Sequence, residues 1–185
     1  MYRMKESLSS RWSVGDKFTT QYVIRQSKFD ALFEVSGSRR DDFRSKTSAF
    51  NVFDTQKLAL SRKYNTNLKE LIPLVRLPEM YYILCEFTED NVRSRSYINY
   101  VRNRRGYSAS LNKKYIDNEG KVAALNKEYR KEFYAEGQYW FFLKSHGLTT
   151  IPYATDIHLT EENFIFPLPD AEKQYGWTPE EETTH

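Results

Sequence analysis

The spacing of the apolar positions changes near residue 77 of this chain. Before that point, short β-branched and aromatic stretches alternate with polar residues, as is typical of strands. We therefore expect a strand, one or two helical turns and two further short strands at residues 17–25, 27–35, 50–53 and 58–64. A dense charge cluster at residues 38–44 is expected to form a solvated loop.

From residue 77 the pattern becomes helical. Pro78 and Glu79 suit the first turn of a helix, because proline lacks the amide hydrogen and a carboxylate faces the positive end of the helix dipole. Tyr81, Leu84 and Cys85 then share one face of this helix. The helix should end near residues 88–91, where polar residues follow one another.

A second helix is predicted over residues 92–105. Its apolar stripe contains Tyr97, Ile98 and Val101, and Gly106 is suited to end it. The two helices are short and adjacent in sequence, so they should pack as a helical hairpin.

Residues 121–145 continue the helical pattern, as one long helix or as two helices broken at Gly137. Trp140 follows Phe133 by seven residues, so both side chains are expected to face the helical hairpin. Prolines recur after Gly147 and exclude long regular elements from the rest of the chain.

The charge of the chain is unevenly distributed. The formal net charge is +3, and the sequence has a basic middle part followed by an acidic end. This is most simply explained by the acidic end lying near the basic helices, with a nucleic-acid-binding face as the rival interpretation. The sequence contains no run of about 18 apolar residues, the length needed to span a bilayer. It has a single cysteine, which excludes an internal disulfide.

The first ten residues contain no apolar run of the length that a secretion signal needs. We therefore expect either a cytoplasmic protein or a piece of a longer chain with an upstream targeting segment.

Glu128, Glu132 and Glu136 lie four residues apart, so a helix places them along one edge. Like charges at this spacing repel one another, and nearby cations should neutralise them. The expected partners lie at the end of the preceding helix: Arg102, Arg104 and Arg105. A glycosidase would need two carboxylates on opposite sides of the scissile bond, which one helix edge does not provide.

Other chemistry is poorly represented in the sequence. Phosphate-binding glycine loops, nucleophile elbows, Glu-x-x-His pairs and CxxC motifs do not occur. His146, Asp156 and His158 could form a metal site, although surface histidines are the simpler interpretation. The arginine-rich run at residues 93–105 splits over two helix faces, which favours salt bridges over phosphate binding. The sequence thus predicts no catalytic residues, no cofactor, no metal and no nucleic-acid partner.

Four motifs follow one another along the chain: residues 72–81 (IPLVRLPEMY), 101–106 (VRNRRG), 128–144 (EYRKEFYAEGQYWFFLK) and 165–172 (IFPLPDAE). Their order and spacing resemble the C-terminal half of the SusD/RagB family. The charge cluster at residues 38–44 and the later Lys63 and Tyr64 resemble the segment just upstream. The resemblance covers most of residues 30–175.

The resemblance implies a mainly α fold of tetratricopeptide-like helical hairpins, with irregular loops and a few short strands. It also implies a surface-exposed outer-membrane lipoprotein that captures glycans or other nutrients and delivers them to a TonB-dependent SusC-like transporter. Such a binding protein has no catalytic residues to carry over. Family members are generally longer, with the lipid anchor on an upstream segment, so we expect a C-terminal fragment or a shortened member.

The chain departs from the family pattern at four positions in its third motif. The family usually has arginine in place of Tyr129, Tyr139 and Ser145, and aspartate in place of Phe142. These departures alter the ion pairs expected at this place and leave the expected fold unchanged.

We predict one structural unit with three segments. Loops and short strands form residues 1–70, the helical-hairpin core forms residues 71–146, and an irregular, proline-rich segment forms residues 147–185. In the family, loops outside the repeat helices meet most of the ligand. The candidate residues for stacking on sugar rings are therefore four aromatics of the early region and the interhelical loops: Trp12, Tyr22, Tyr107 and Tyr115. The alternative is a non-catalytic helical protein–protein interaction module that binds no sugar.

Overall fold

A computed structural model of the 185-residue protein describes residues 2–3, 23–37, 39–46, 50–53, 58–61, 71–72, 75–154 and 157–166. The described residues are mainly helical, which confirms the predicted fold class. Short strands precede the longer helices, as the spacing of apolar residues predicts. The division into three segments of one unit stays a prediction.

Among the residues that the structure describes, five short strands form two small antiparallel sheets. They are β1 (Tyr2–Arg3), β2 (Val23–Arg25), β3 (Phe50–Phe53), β4 (Leu58–Ser61) and β5 (Leu71–Ile72). Strand β1 pairs with β5, and β4 lies between β2 and β3 in a three-stranded sheet. Its register places Phe50 opposite Ser61 and Val23 opposite Leu60. The strand predicted at residues 17–25 is confirmed for its last three residues, and the others lie outside the described residues.

A short helix, α1 (Gln26–Leu32), follows β2 directly and closes a small aromatic core over the sheet. The Phe29 ring lies 4.7 Å from Phe33 and 5.0 Å from Phe50, measured between centroids. Tyr134 packs on the same cluster, with its ring 5.6 Å from Phe50. This contact joins the sheet region to the helices.

In the described part of the chain, four longer helices form the second core. They are α2 (Leu77–Phe87), α3 (Asn91–Arg104), α4 (Asn118–Glu132) and α5 (Gln138–Ser145). Three single turns of 3-10 helix occur elsewhere in the described residues, at Phe43–Ser45, Ala109–Leu111 and Glu161–Phe164. Helices α2 and α3 pack as the predicted hairpin, and α4 lies against both.

The ends of the helices have clear physical causes. The Asp90 carboxylate accepts from the amide of Val92 at 2.8 Å and caps α3, and Asp117 accepts from Gly120 at 2.7 Å and caps α4. Gly106 has a φ of +106° just after α3, and a Cβ there would overlap the Asp41 carbonyl oxygen. Only glycine fits this position. The predicted stop at residue 106 is therefore confirmed.

Three expectations about packing are wrong. Asp42 and Arg44 of the charge cluster are buried, because Arg44 pairs both with Asp42 and with Glu128 and Glu132 of α4. Leu84 is exposed, because α2 turns Tyr82 and Cys85 toward the core instead. Trp140 is half-buried and faces away from the helical hairpin. Its ring packs on Phe164, 5.9 Å away, because the chain returns to cover α5 there.

Candidate functional site

A network of buried ion pairs lies between α3, α4 and the segment that contains Glu34 and Arg44. Glu128 stands at its centre and is fully buried. Its Oε1 accepts from Arg102 at 2.6 Å and from Lys131 at 3.0 Å, and its Oε2 accepts from Arg44 at 2.7 Å. Although burial raises the pKa of Glu128, these three cations outweigh it and hold the pKa well below the ordinary value. The carboxyl is therefore ionised and fixed in place.

Glu34 forms a second centre of the network. Its carboxylate accepts from Arg102 at 2.9 Å, from Lys113 at 3.0 Å and from Lys131 at 3.2 Å. Burial raises the pKa of Glu34, but the hydrogen bond from Arg102 and the charges of Arg102, Lys113 and Lys131 outweigh this effect. The net result is a pKa lowered to about 2. Two loops and two helices thus meet at one carboxylate.

The remaining glutamates of the stripe are paired as well. Glu132 accepts from Arg105 at 2.8 Å and from Arg44 at 3.1 Å, and Glu136 accepts from Arg76 at 2.7 Å. Arg102 and Arg105 are confirmed as partners of the stripe. Arg104 is the exception, because its guanidinium lies over the Tyr100 ring, 5.4 Å from the centroid.

Each carboxylate of the glutamate stripe is therefore a member of a structural ion pair. Among the described residues the network contains six cations and five carboxylates, so its charges nearly cancel. Buried charges that are paired on several sides specify one geometry for the elements that carry them. The arrangement holds the early segment against α3 and α4.

Two of the four predicted glycan-contact residues can be placed in the structure. Tyr107 is buried, and its hydroxyl donates to the Phe33 carbonyl at 3.0 Å and accepts from Lys131 at 3.1 Å. Its ring lies against Arg102, 4.0 Å from centroid to guanidinium carbon. The expectation that Tyr107 presents its ring to a sugar is therefore corrected, because the ion-pair network covers it.

Tyr115 is half-buried at the other end of the hairpin. Its hydroxyl forms hydrogen bonds with Ser94 at 2.7 Å and Cys85 at 3.3 Å, and its ring packs on the helical core. Glycan contact by this residue stays a prediction. Trp12 and Tyr22 lie outside the described residues.

The two histidines that the structure describes belong to no cluster of metal-ligating side chains. His146 lies 3.1 Å from Glu86 at the end of α5, and His158 is exposed in an isolated bridge with Thr150. Asp156 lies outside the described residues. Within the described part of the chain, no group of three metal-ligating side chains comes together.

An open pocket of about 350 Å³ lies where the start of α2 meets the end of α3, and we call it the hairpin pocket. Seven residues line it: Leu77, Pro78, Tyr81, Tyr100, Val101, Arg104 and Arg105. The Tyr81 and Tyr100 rings lie 4.7 Å apart at an angle of 30°. Partial desolvation and the neighbouring Tyr100 phenol raise the pKa of Tyr81, so its hydroxyl stays neutral at physiological pH. The pocket offers aromatic surface, phenol groups and a guanidinium.

A second open pocket of about 330 Å³ lies between α2, α4 and α5, and we call it the acidic pocket. Its lining consists of Glu79, Glu86, Tyr129, Gln138, Phe141, Phe142 and Ser145. The Tyr129 and Phe142 rings are stacked here, 4.3 Å apart at 23°. Two of the positions that depart from the resembled pattern, Tyr129 and Phe142, therefore stack on each other.

The sequence does contain a signal for the hairpin pocket. Tyr100 and Arg104 are four residues apart and therefore neighbours on α3. Tyr81 stands one turn into α2, and an antiparallel hairpin brings the start of one helix to the end of the other. All three residues lie on helices, so the aromatic residues of the loops do not indicate this site.

The geometry defines a mainly helical protein built on an antiparallel hairpin, whose described residues line the partly aromatic hairpin pocket and acidic pocket. None of the helices in the described part has the length and apolar character needed to cross a membrane. Comparison with family models identifies the chain further: it belongs to the SusD family, whose model matches residues 12–144. The predicted resemblance is thereby confirmed. Comparisons with curated proteins and with solved structures give no match.

Membership of this family has general consequences. SusD/RagB proteins are generally non-catalytic binding proteins, and the family suggests glycan binding in nutrient capture. They are typically outer-membrane-associated lipoproteins and associate with SusC-like transporters. The helical hairpin of α2 and α3 fits the tetratricopeptide-like architecture that the resemblance implies.

Proposed function

We propose that this protein captures a glycan at the bacterial cell surface and delivers it to a TonB-dependent SusC-like transporter. The observation that carries the proposal is the match to the SusD family over residues 12–144. Attachment to the outer membrane through a lipid anchor is part of the same proposal. The protein performs no chemistry on the glycan.

The hairpin pocket supports the glycan-binding part of the proposal. Tyr100 is exposed and Tyr81 half-buried, so part of each phenol side chain is accessible from solvent. The apolar face of a sugar ring packs on such aromatic surface, and its hydroxyls bond to neighbouring polar groups. The volume of the pocket lies at the small end of the range for ligand sites.

The outer face of α2 supports the part of the proposal that concerns the partner. Five large apolar side chains on this helix are exposed: Leu77, Met80, Ile83, Leu84 and Phe87. Contiguous exposed apolar surface of this kind marks interaction sites on soluble domains. We assign this face to contact with the transporter.

Titration with a panel of oligosaccharides, followed by calorimetry, tests glycan capture. Stacking on one or two rings contributes about 1 to 1.5 kcal/mol beyond burial, and the ordering of the sugar offsets part of it. We therefore expect weak binding, with a Kd of about 1 mM, equivalent to roughly 4 kcal/mol. Absence of binding to every glycan, together with retained binding to the transporter, would favour a protein-interaction module instead.

A further inference from the structure

We propose that the hairpin pocket selects glycans that carry a carboxylate, such as those built from uronic acids. This inference rests on the proposed function and specifies the class of glycan. Three observations support the inference: the charges that line the pocket, the position of Arg104 over an aromatic ring, and the contrast with the acidic pocket.

The charge of the hairpin pocket is positive. Its lining contains two arginines and no carboxylate. Arg105 donates to Glu132 at 2.8 Å, so its charge is largely neutralised by the buried network. Arg104 is the neighbour of Arg105 in the sequence. It nevertheless forms no ion pair with any carboxylate of the described residues. The pocket therefore holds one guanidinium that is available to a ligand.

The position of this guanidinium suits a ligand with an apolar face and an acidic edge. The Arg104 guanidinium lies 5.4 Å from the centroid of the Tyr100 ring, and the Tyr81 ring lies 4.7 Å from the same centroid. A pyranose ring seated on this aromatic surface would place a substituent of its edge near the guanidinium. Arginine binds a carboxylate through two parallel N–H groups, with geometry that a neutral hydroxymethyl group does not match.

The acidic pocket has the opposite preference at nearly the same volume. Glu79 and Glu86 line it, and no arginine or lysine does. His146 pairs with Glu86 at its edge and reduces this charge only when it is protonated. A carboxylated glycan is repelled there and attracted to the hairpin pocket, so its charge favours the hairpin pocket over the acidic pocket.

Calorimetric titration at pH 7 and low salt tests the proposal with two matched probes: a trisaccharide of galacturonic acid and the neutral trisaccharide of galactose. We expect the acidic probe to bind the parent protein about three- to tenfold more tightly, as an accessible arginine–carboxylate pair allows. The preference should shrink at about 1 M salt, where charges are screened within roughly 3 Å. Acetate at the same concentration as the probe should not compete, because it lacks the sugar ring.

Two variants identify the site. Arg104→Gln should remove the preference for the acidic probe and leave the weak binding of the neutral one. Tyr100→Ala should weaken binding of both probes by roughly five- to tenfold, because it removes a stacking surface. Both side chains are exposed, so the variants should keep the melting temperature of the parent to within a few degrees.

Two control variants remove the same chemical groups elsewhere. Arg93→Gln removes an exposed arginine eleven residues earlier on α3, about 16 Å away along the same helix face. Phe166→Ala removes an exposed aromatic ring beside α5. Neither should change the binding of either probe.

The outcomes separate this inference from the function on which it rests. Equal affinity for both probes, or a preference that survives Arg104→Gln, would overturn the inference and leave glycan capture standing. Competition by acetate would assign the pocket to small carboxylates and overturn it as well. Binding of neither these probes nor any glycan of the wider panel would refute the proposed function together with the inference.

Discussion

Replacement of Glu128 by glutamine tests whether the buried network stabilises the fold. The side chain is fully buried, and its two oxygens accept from Arg102, Lys131 and Arg44 at 2.6 to 3.0 Å. Glutamine has the same shape, so the substitution opens no cavity. It removes the central negative charge and turns an N–H group toward at least one of these donors.

The magnitude follows from the partners that remain. Removal of one member of a buried ion pair costs about 3 to 5 kcal/mol when the other charge is left uncompensated. In this variant Arg102 and Lys131 still pair with Glu34, and Arg44 still pairs with Asp42 and Glu132. Each cation therefore retains at least one carboxylate. We therefore expect Glu128→Gln to lower the free energy of unfolding by about 3 kcal/mol, at the low end of that range.

Urea denaturation followed by circular dichroism measures this change. A loss of about 3 kcal/mol lowers the midpoint by more than about 1 M, since m-values are typically 1 to 3 kcal/mol per molar urea. Glu119→Gln is the matched control, because it removes an exposed carboxylate from the first turn of the same helix and should cost less than about 1 kcal/mol. If the two variants were equally stable, the network would not have the role assigned to it.

Three further predictions concern backbone, pH and packing. Gly106→Ala should cost more than about 2 kcal/mol, because φ is +106° and the added Cβ meets the Asp41 carbonyl; an unchanged melting temperature would contradict this. The pKa of Glu34 is lowered to about 2 from 4.5, so its stabilisation is fully present above pH 4.5 and is lost as pH falls toward 2. Glu34→Gln should therefore flatten the acid dependence of the unfolding free energy, and a parallel curve would argue against it. Trp140→Ala should cost about 1 to 2 kcal/mol in urea denaturation rather than the 3 to 5 of a buried aromatic, because the ring is half-buried against Phe164; a larger loss would place the ring in the core.

The helices could be predicted from the sequence because their signals are local. Pro78 at the start of α2 and Gly106 after α3 act through their own backbone geometry, and neither needs a distant partner. Gly137 separates α4 from α5 with a φ of +89°, which glycine adopts without strain. The family resemblance could also be found, because its motifs fall on these same helices.

The charge cluster and the pocket could not be predicted in the same way. Arg44 looks like a loop residue among other charges, and only the fold shows that it reaches Glu128, 84 residues later. Tyr107 follows a helix end, as a loop aromatic does, yet the same network buries it. The side on which Trp140 packs depends on the return of residues near Phe164, which helical periodicity does not contain.

The long sequence separations in the network have a consequence for the order of folding. Glu34 and Lys131 are 97 residues apart, whereas α2 and α3 follow each other after three residues. The entropy of closing a loop must be offset before so distant a contact forms, so the hairpin can assemble early and the Glu34 and Arg44 segment docks late. Contacts that form after the transition state act mainly on the unfolding rate. The ion pairs of Arg44 should therefore slow unfolding and have little effect on the folding rate. They determine the lifetime of the folded protein.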